Sequence, residues 1–499
     1  MARKLLEDVA DYVIVGTGAG GATAARVLTE AGADVLMLEE GPQLRTEDRS
    51  ERILDALHQS VRGFAGTATV GTTPMPILQG RCVGGSTAIN SGIIWRMPED
   101  VREDWTSTHG LGDLVEPRAQ ERIFERLEDE LEVAETSADV AGGNGERMAQ
   151  GARALGLPGK PIVRNAKRCR GAARCLQGCP GEARQSVDVS YIPRAIEAGA
   201  RLHANARVRH VLVEGGRAVG VAGEVMDPVT RKPQGTLRVM ARRAVIVAAG
   251  VIHTPVILRR SGLRGLVGER FQAHPGAAVV GRFPEAVTMA RGATQAYEVP
   301  MRHQRFKLEG LSLPPEALAA RIPGVGDAWQ ARLAELDHYA QWCVQVRMRA
   351  RGSVRPGGDE PKVRYEPLPE DVAVVQRALG LLCRMMFAAG ATEVYPGVGR
   401  VPEILTDVKQ VEAFENARLK RGDFHVVASH LFGTACAGSD PSRSVVGPDL
   451  QSHDVPGLYV MDASVFPTNM GVNPQHSIMA VVWRAAEWLA EGAQRRAAA

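Results

Sequence analysis

The chain has no hydrophobic run long enough to cross a membrane. The longest, residues 244–252, falls well short of the roughly 20 apolar residues a spanning helix needs, so no transmembrane segment is expected. Neither sign of charge dominates. Sixty Lys and Arg against 57 Asp and Glu leave a net charge of +3 and a pI near 8.5, too mild for an obligate nucleic-acid or anionic-membrane partner. Aromatic residues make up only 5%, which does not favour a broad stacking platform for sugars. Internal repeats and low-complexity tracts are lacking. The opening residues, Met1 to Asp8, run directly into a strand-like segment without room for a signal peptide, and a cytoplasmic location is expected. With 44% hydrophobic and 23% charged residues over 499 positions, the chain reads as globular, with two to four domain-sized units or one continuous pair of domains.

What is present begins near the N-terminus. Asp11-Tyr12-Val13-Ile14-Val15 is a short, β-branched apolar run, the pattern of a buried parallel strand. It ends in Gly16-Thr17-Gly18-Ala19-Gly20-Gly21, a G-x-G-x-x-G match. Apolar residues then recur at helical spacing (Ala24, Ala25, Val27, Leu28, Ala31), Gly32 stops the helix, and a second strand from Asp34 delivers Glu39 and Glu40. Gly16, Gly18 and Gly21 permit a tight turn and close approach of backbone to a pyrophosphate at a helix N-terminus. Glu39 is placed to accept hydrogen bonds from an adenosine ribose. Strand, glycines, helix, strand and acid fall in order, which predicts dinucleotide binding.

Near the other end, Leu458-Tyr459-Val460-Met461-Asp462-Ala463-Ser464 leads through a loop to Gly471-Val472-Asn473-Pro474 and a helix, while His430 sits upstream in His430-Leu431-Phe432-Gly433-Thr434. A strand, a turn and a helix start carry His430 and Asn473 into one neighbourhood. Such a pair can remove a proton from an alcohol and hold the oxygen while hydride departs. His430 could equally be a satisfied strand-end histidine, and Asn473 a helix cap before Pro474. His476, three residues beyond Asn473, is a minor competitor for the site.

Between these ends, residues 71–98 are glycine-rich and loop-like, and residues from 102 to about 156 are charged and helical in pattern. Short strands follow at 202–213 and 218–225, then a buried strand at 244–250. Residues 276–427 mix strand and helix without glycine-loop motifs. The fold class expected is α/β (α+β overall): a Rossmann-like domain assembled from residues 1–105, 160–275 and 430–499, a helical insertion over 106–159, and an antiparallel-sheet domain over 276–429.

Together these segments resemble the glucose–methanol–choline (GMC) family of FAD-dependent oxidoreductases, from Asp11 to about Leu489 and weakly between 276 and 427. Residues 80–90, Gly-Arg-Cys-Val-Gly-Gly-Ser-Thr-Ala-Ile-Asn, resemble the family's first flavin loop, and Ala249-Gly250-Val251-Ile252-His253-Thr254-Pro255 the second. Phe271-Gln272-Ala273-His274-Pro275 resembles the segment leaving the FAD domain, and Asp462-Ala463 with Gly471 to Pro474 the closing motif. Gly84 and Gly85 let backbone amides approach an anion or ring, and Ser86 can donate to a phosphate oxygen. Asn90, Gly250, Asp462 and Ala463 join the cofactor set through these motifs. Val208 matches a strand position whose backbone meets the adenine. Some relatives tether flavin through a histidine in the first loop; residues 84–97 contain none, so dissociable FAD is expected. The resemblance implies that His430 is the general base and Asn473 the hydrogen-bond donor to the substrate oxygen, with hydride passing to flavin N5. A primary or secondary alcohol is the expected substrate. A FAD-containing lyase and a flavin-binding electron-transfer subunit are the alternatives on this fold.

Seven cysteines are present, and three cluster as Cys169-x5-Cys175-x3-Cys179 followed by Pro180 and Gly181. Short-spaced thiolates before proline fit iron–sulfur ligation, and three ligands suit a [3Fe-4S] cluster. Zinc would want a further ligand, and no histidine lies in the segment. Reduced or paired structural cysteines are the plain alternative. A cluster would relay electrons to an acceptor protein or quinone and favours a dehydrogenase over an oxidase.

Overall fold

A computed structural model describes residues 4–498 as two seven-stranded sheets and two small two-stranded ones, with flanking helices. In the first sheet Lys4–Val15 pairs in parallel with Val35–Leu38 on one side and Pro233–Val247 on the other. Arg201–His203 extends it beyond Val35–Leu38, again in parallel. Tyr12, Val13, Ile14 and Val15 are all buried, which is why a central parallel strand reads as a continuous apolar run. The strand begins earlier than the apolar run suggested: Leu5 and Val9 are exposed, so its first half alternates and is masked by Glu7 and Asp8.

On its other edge Pro233–Val247 serves two neighbours. Its first half pairs antiparallel with Arg217–Met226, which hairpins to Ala206–Glu214; its last residues pair in parallel with Leu458–Val460, Val245 opposite Leu458. The helices Ala19–Glu30 and Gln475–Ala498 pack on each other in the same core as these strands. This is the Rossmann-like arrangement, closed by a strand from the far end of the chain.

The second sheet is antiparallel, in the order Glu393–Tyr395, Gln272–Arg282, Tyr339–Val346, Phe306–Gly310, Tyr297–Met301, Lys160–Pro161. Val427–Phe432 pairs with the start of Gln272–Arg282, setting His430 opposite His274. The helix Pro369–Ala388 covers this sheet. Gln272–Arg282 therefore runs across the expected 275/276 boundary, and Lys160–Pro161 belongs to the second sheet. The helices Glu99–His109, Pro117–Glu130 and Ala138–Ala154 occupy the segment expected to be helical. Among the described residues no helix is long and apolar enough to cross a membrane.

Candidate active site

The glycine fingerprint closes on itself through backbone. Gly16 takes φ +96°, and a Cβ there would stand 2.4 Å from the Ala248 carbonyl oxygen; one on Gly21 would stand 2.0 Å from the Gly16 oxygen. At Gly18 the opposite holds: nothing lies within 4 Å of a Cβ, because the position opens onto a cavity of about 600 Å³. Gly18 starts the helix Ala19–Glu30 without a side-chain cap, and the first turn carries no acid. The positive end of the helix dipole and its unused N–H groups thus face this cavity.

Glu39 follows the second strand directly, buried at the cavity wall. One carboxylate oxygen accepts from the Thr17 backbone N–H (3.1 Å) and hydroxyl (2.8 Å), and the other from Gly41 N–H (2.9 Å). Burial pushes its carboxyl above the usual range, against these hydrogen bonds. Thr17 Oγ1 also accepts from Gly84 N–H at 3.2 Å, so one threonine ties the fingerprint to the first loop. Gly84 and Gly85 both take positive φ, and Ser86 Oγ accepts from Gly80 N–H at 3.0 Å. Asn90 donates to Gln475 Oε1 at 2.7 Å, joining that loop to the closing motif. Asp462 accepts from Gly250 N–H (2.9 Å), Thr254 Oγ1 (2.5 Å) and Ser464 N–H (2.7 Å), and burial raises its carboxyl. Gly16, Gly18, Glu39, Gly85, Ser86, Asn90, Val208, Gly250, Asp462 and Ala463 line the one cavity; Gly21 and Gly84 support it from behind.

His430 and Asn473 line the same cavity. His430 Nδ1 lies 3.1 Å from Nδ1 of the fully buried His274, so one ring donates and the other accepts. Burial, aided by the Lys307 charge, pushes the His430 imidazole down to about 3. It is a neutral base at ordinary pH. Asn473 is buried, and its Oδ1 accepts from Lys307 Nζ at 2.7 Å. Lys307 was not visible in the sequence; its signal is the alternation Lys307-Leu308-Glu309 in a buried strand, where charges two apart share one face. His476 turns away: it stacks on Phe124 (centroids 5.3 Å apart) with Nε2 3.5 Å from Glu128, between two helices and outside the cavity lining.

The cysteine segment differs from expectation. Cys169, Cys175 and Cys179 are free and partly exposed in a loop with one short 3-10 turn at Cys175–Gln177. Among the described residues no group of three or more His, Cys, Asp or Glu side chains is arranged to hold a metal ion. Sequence spacing alone does not aim thiolates at a common point, and here the loop does not. The iron–sulfur reading finds no support.

Residues 10–276 match the N-terminal GMC oxidoreductase family profile, and residues 347–481 the C-terminal one. The chain belongs to the GMC oxidoreductase family. It is 37% identical to a GMC-type oxidoreductase of Mycobacterium tuberculosis over 96% of this chain and 75% of that protein. A long-chain-alcohol oxidase of Arabidopsis thaliana is 26% identical, over 95% of this chain and 67% of that one. Among solved structures, a formate oxidase of Aspergillus oryzae RIB40, studied for FAD modification, superposes with a TM-score of 0.73 over 98% of this chain and 99% of that one, at 16% identity. That likeness extends over both sheets.

The ionisable groups of this GMC oxidoreductase fix how stability follows pH. Burial alone would raise the Glu40 carboxyl, but Arg62, at 2.6 Å, outweighs it and holds it at about 2. Glu130 is likewise brought to about 2, against burial, by hydrogen bonds from Arg26, Tyr191 and Arg126. These depressed carboxylates stabilise the fold above about 4.5, their unfolded value, and lose that contribution as pH falls toward 2. His253 and His430, held near 3 by burial, stay neutral in the fold yet protonate near 6.5 when unfolded, which also favours unfolding as pH drops. Both sets act in one direction, opposed only in part by Glu39 and Asp462, whose carboxyls burial raises. The melting temperature should decline as pH falls below about 6.5 and steepen below about 4.5; a melting temperature that stays level from neutral pH to 4.5 contradicts this.

Proposed function

We propose that this protein oxidises the hydroxyl-bearing carbon of an alcohol to a carbonyl, using FAD held without a covalent bond. The observation that carries the reading is that His430 and Asn473 line the same cavity as an uncapped helix N-terminus. The cradle fits the cofactor: Gly18 leaves open space where a side chain would intrude, and the neighbouring N–H groups suit a pyrophosphate. Gly16, Gly18 and Gly85 would hold FAD through backbone, with Gly21 and Gly84 shaping the turns behind them; Glu39 would bind the FAD ribose, and Val208 would lie along the adenine. Ser86, Asn90, Gly250, Asp462 and Ala463 would complete the walls. FAD, when bound, supplies the hydride acceptor.

The protein's own groups handle the proton and the oxygen. For His430 to act as base, its Nδ1–H donates to His274 Nδ1, leaving the Nε2 lone pair for the alcohol proton. The Asn473 amide donates to the substrate oxygen as negative charge gathers on it. The alcohol oxidase among the relatives supports the substrate class. The cysteine segment was the ground for preferring a dehydrogenase, and without a metal-holding geometry that preference lapses; aerobic reoxidation with peroxide release distinguishes oxygen from a carrier. Under anaerobic conditions at least one member of a panel of decanol, benzyl alcohol, glycerol, glucose and pyridoxine should bleach the flavin absorbance. Failure of that panel and of further primary and secondary alcohols to reduce the flavin would sink the proposal.

A further inference from the structure

Lys307 is the second residue of the strand Phe306–Gly310, with its side chain wholly buried. A buried ammonium costs several kcal/mol unless its hydrogens and charge are met. Here Nζ donates to Glu298 Oε2 at 2.8 Å and to Asn473 Oδ1 at 2.7 Å, and pairs with Glu309 Oε1 at 2.6 Å. The Trp95 ring lies beneath it, centroid 5.0 Å away, and Trp95 Nε1 donates to Glu298 at 3.2 Å. Gln295 Nε2 donates to Glu309 Oε2 at 2.7 Å, so both carboxylates are themselves held. Lys307 does not line the cavity. It cannot touch substrate directly.

An ammonium has donors and no acceptor, so the Asn473 atom facing it has to be the carbonyl oxygen. Either amide assignment is thereby decided by chemistry. The Nδ2 hydrogens then point away from Lys307, and among the described residues no protein acceptor takes them, while Asn473 lines the cavity. A cation on the carbonyl also polarises the amide and strengthens its N–H as a donor. Lys307 comes from the antiparallel sheet and Asn473 from the segment after the Rossmann-like sheet, so the bond crosses between the two layers.

We infer that Lys307 is a positioning residue that fixes the Asn473 amide with its N–H groups toward the substrate oxygen. This rests on the proposed role of Asn473. The test is a double-mutant cycle read by anaerobic flavin reduction, using whichever alcohol of the panel reduces the flavin fastest. Asn473→Ala alone should slow reduction about a hundredfold. Lys307→Met should slow it at least tenfold, with the loss in kcat and KM moving less than threefold. In the Asn473→Ala background, Lys307→Met should cost less than threefold more, because the amide it orients is gone. Lys307→Arg, which keeps the charge and the donors, should recover part of the rate.

FAD content and melting temperature establish that each variant is folded. If Lys307→Met leaves two buried carboxylates that prevent folding, Lys307→Met combined with Glu298→Gln and Glu309→Gln removes all three charges at once, and the same cycle applies. Reduction at the normal rate in a folded variant without Lys307, or losses that multiply with that of Asn473→Ala, overturn the inference while the role of Asn473 stands. Normal reduction by Asn473→Ala removes the role of Asn473 and the inference with it.

Discussion

His430→Ala should slow anaerobic flavin reduction by roughly a hundredfold or more while FAD content stays near that of the parent protein. The side chain enters the cavity from within Val427–Phe432, and its ring contacts His274, which is buried on the neighbouring strand. Truncation removes the only nitrogen base that this strand offers the cavity and leaves the backbone pairing of Gln272–Arg282 with Val427–Phe432 intact. Gly18, Glu39 and Asp462, proposed to hold the cofactor, lie on other elements, so retention of FAD should hold even as reduction fails. His430 is half-buried, since one side opens to the cavity, yet everything else around it is protein, and that environment keeps it uncharged. Near-normal reduction by the folded, FAD-loaded variant would retire it as the base.

Gly20→Ala should be strongly destabilising. Its Cβ would stand 1.9 Å from the carbonyl oxygen of Met461 and 2.9 Å from the carbonyl carbon, both backbone atoms that no rotamer change can move. The helix Ala19–Glu30 and the segment leading to Asp462 would have to separate, at a cost of about 3 kcal/mol or more. Purified protein should lose most of its FAD and melt at a clearly lower temperature. Gly18→Ala, two residues away, meets nothing within 4 Å, so it should fold normally and lose affinity for FAD alone. The pair separates a glycine required by packing from one required by a ligand. A Gly20→Ala protein with full FAD and an unchanged melting temperature would contradict this reading.

The parts of the site legible in the sequence are those written in contiguous residues. The turn at Gly16 to Gly21 and the loop at Gly84 to Ser86 depend on backbone conformations that neighbouring residues dictate. Glu39 follows from the length of one βαβ unit. What stayed hidden depends on contacts between distant segments. Lys307 acquires its meaning only when Glu298 lies across a hairpin from Glu309 and Asn473 arrives from 166 positions away. His274 was visible as part of a motif, but its contact with His430 needs the register of two strands far apart in sequence. Thr17 occupies a variable position of the glycine pattern, and its bridge between Glu39 and Gly84 needs the first loop folded against it. The cysteine segment erred in the other direction, since spacing was legible and convergence was not.

The strand Leu458–Val460 carries a consequence for the order of assembly. During synthesis the strands Lys4–Val15, Val35–Leu38, Arg201–His203 and Pro233–Val247 emerge more than two hundred residues before the one that completes them. Until then the edge from Val245 to Val247 presents unpaired backbone groups, a surface other chains could pair with. Asp462 and Asn473 arrive immediately behind that final strand. A chain that stops short of Leu458 therefore leaves that sheet edge unpaired and lacks both Asp462 and Asn473, the residues proposed for cofactor contact and for holding the substrate oxygen.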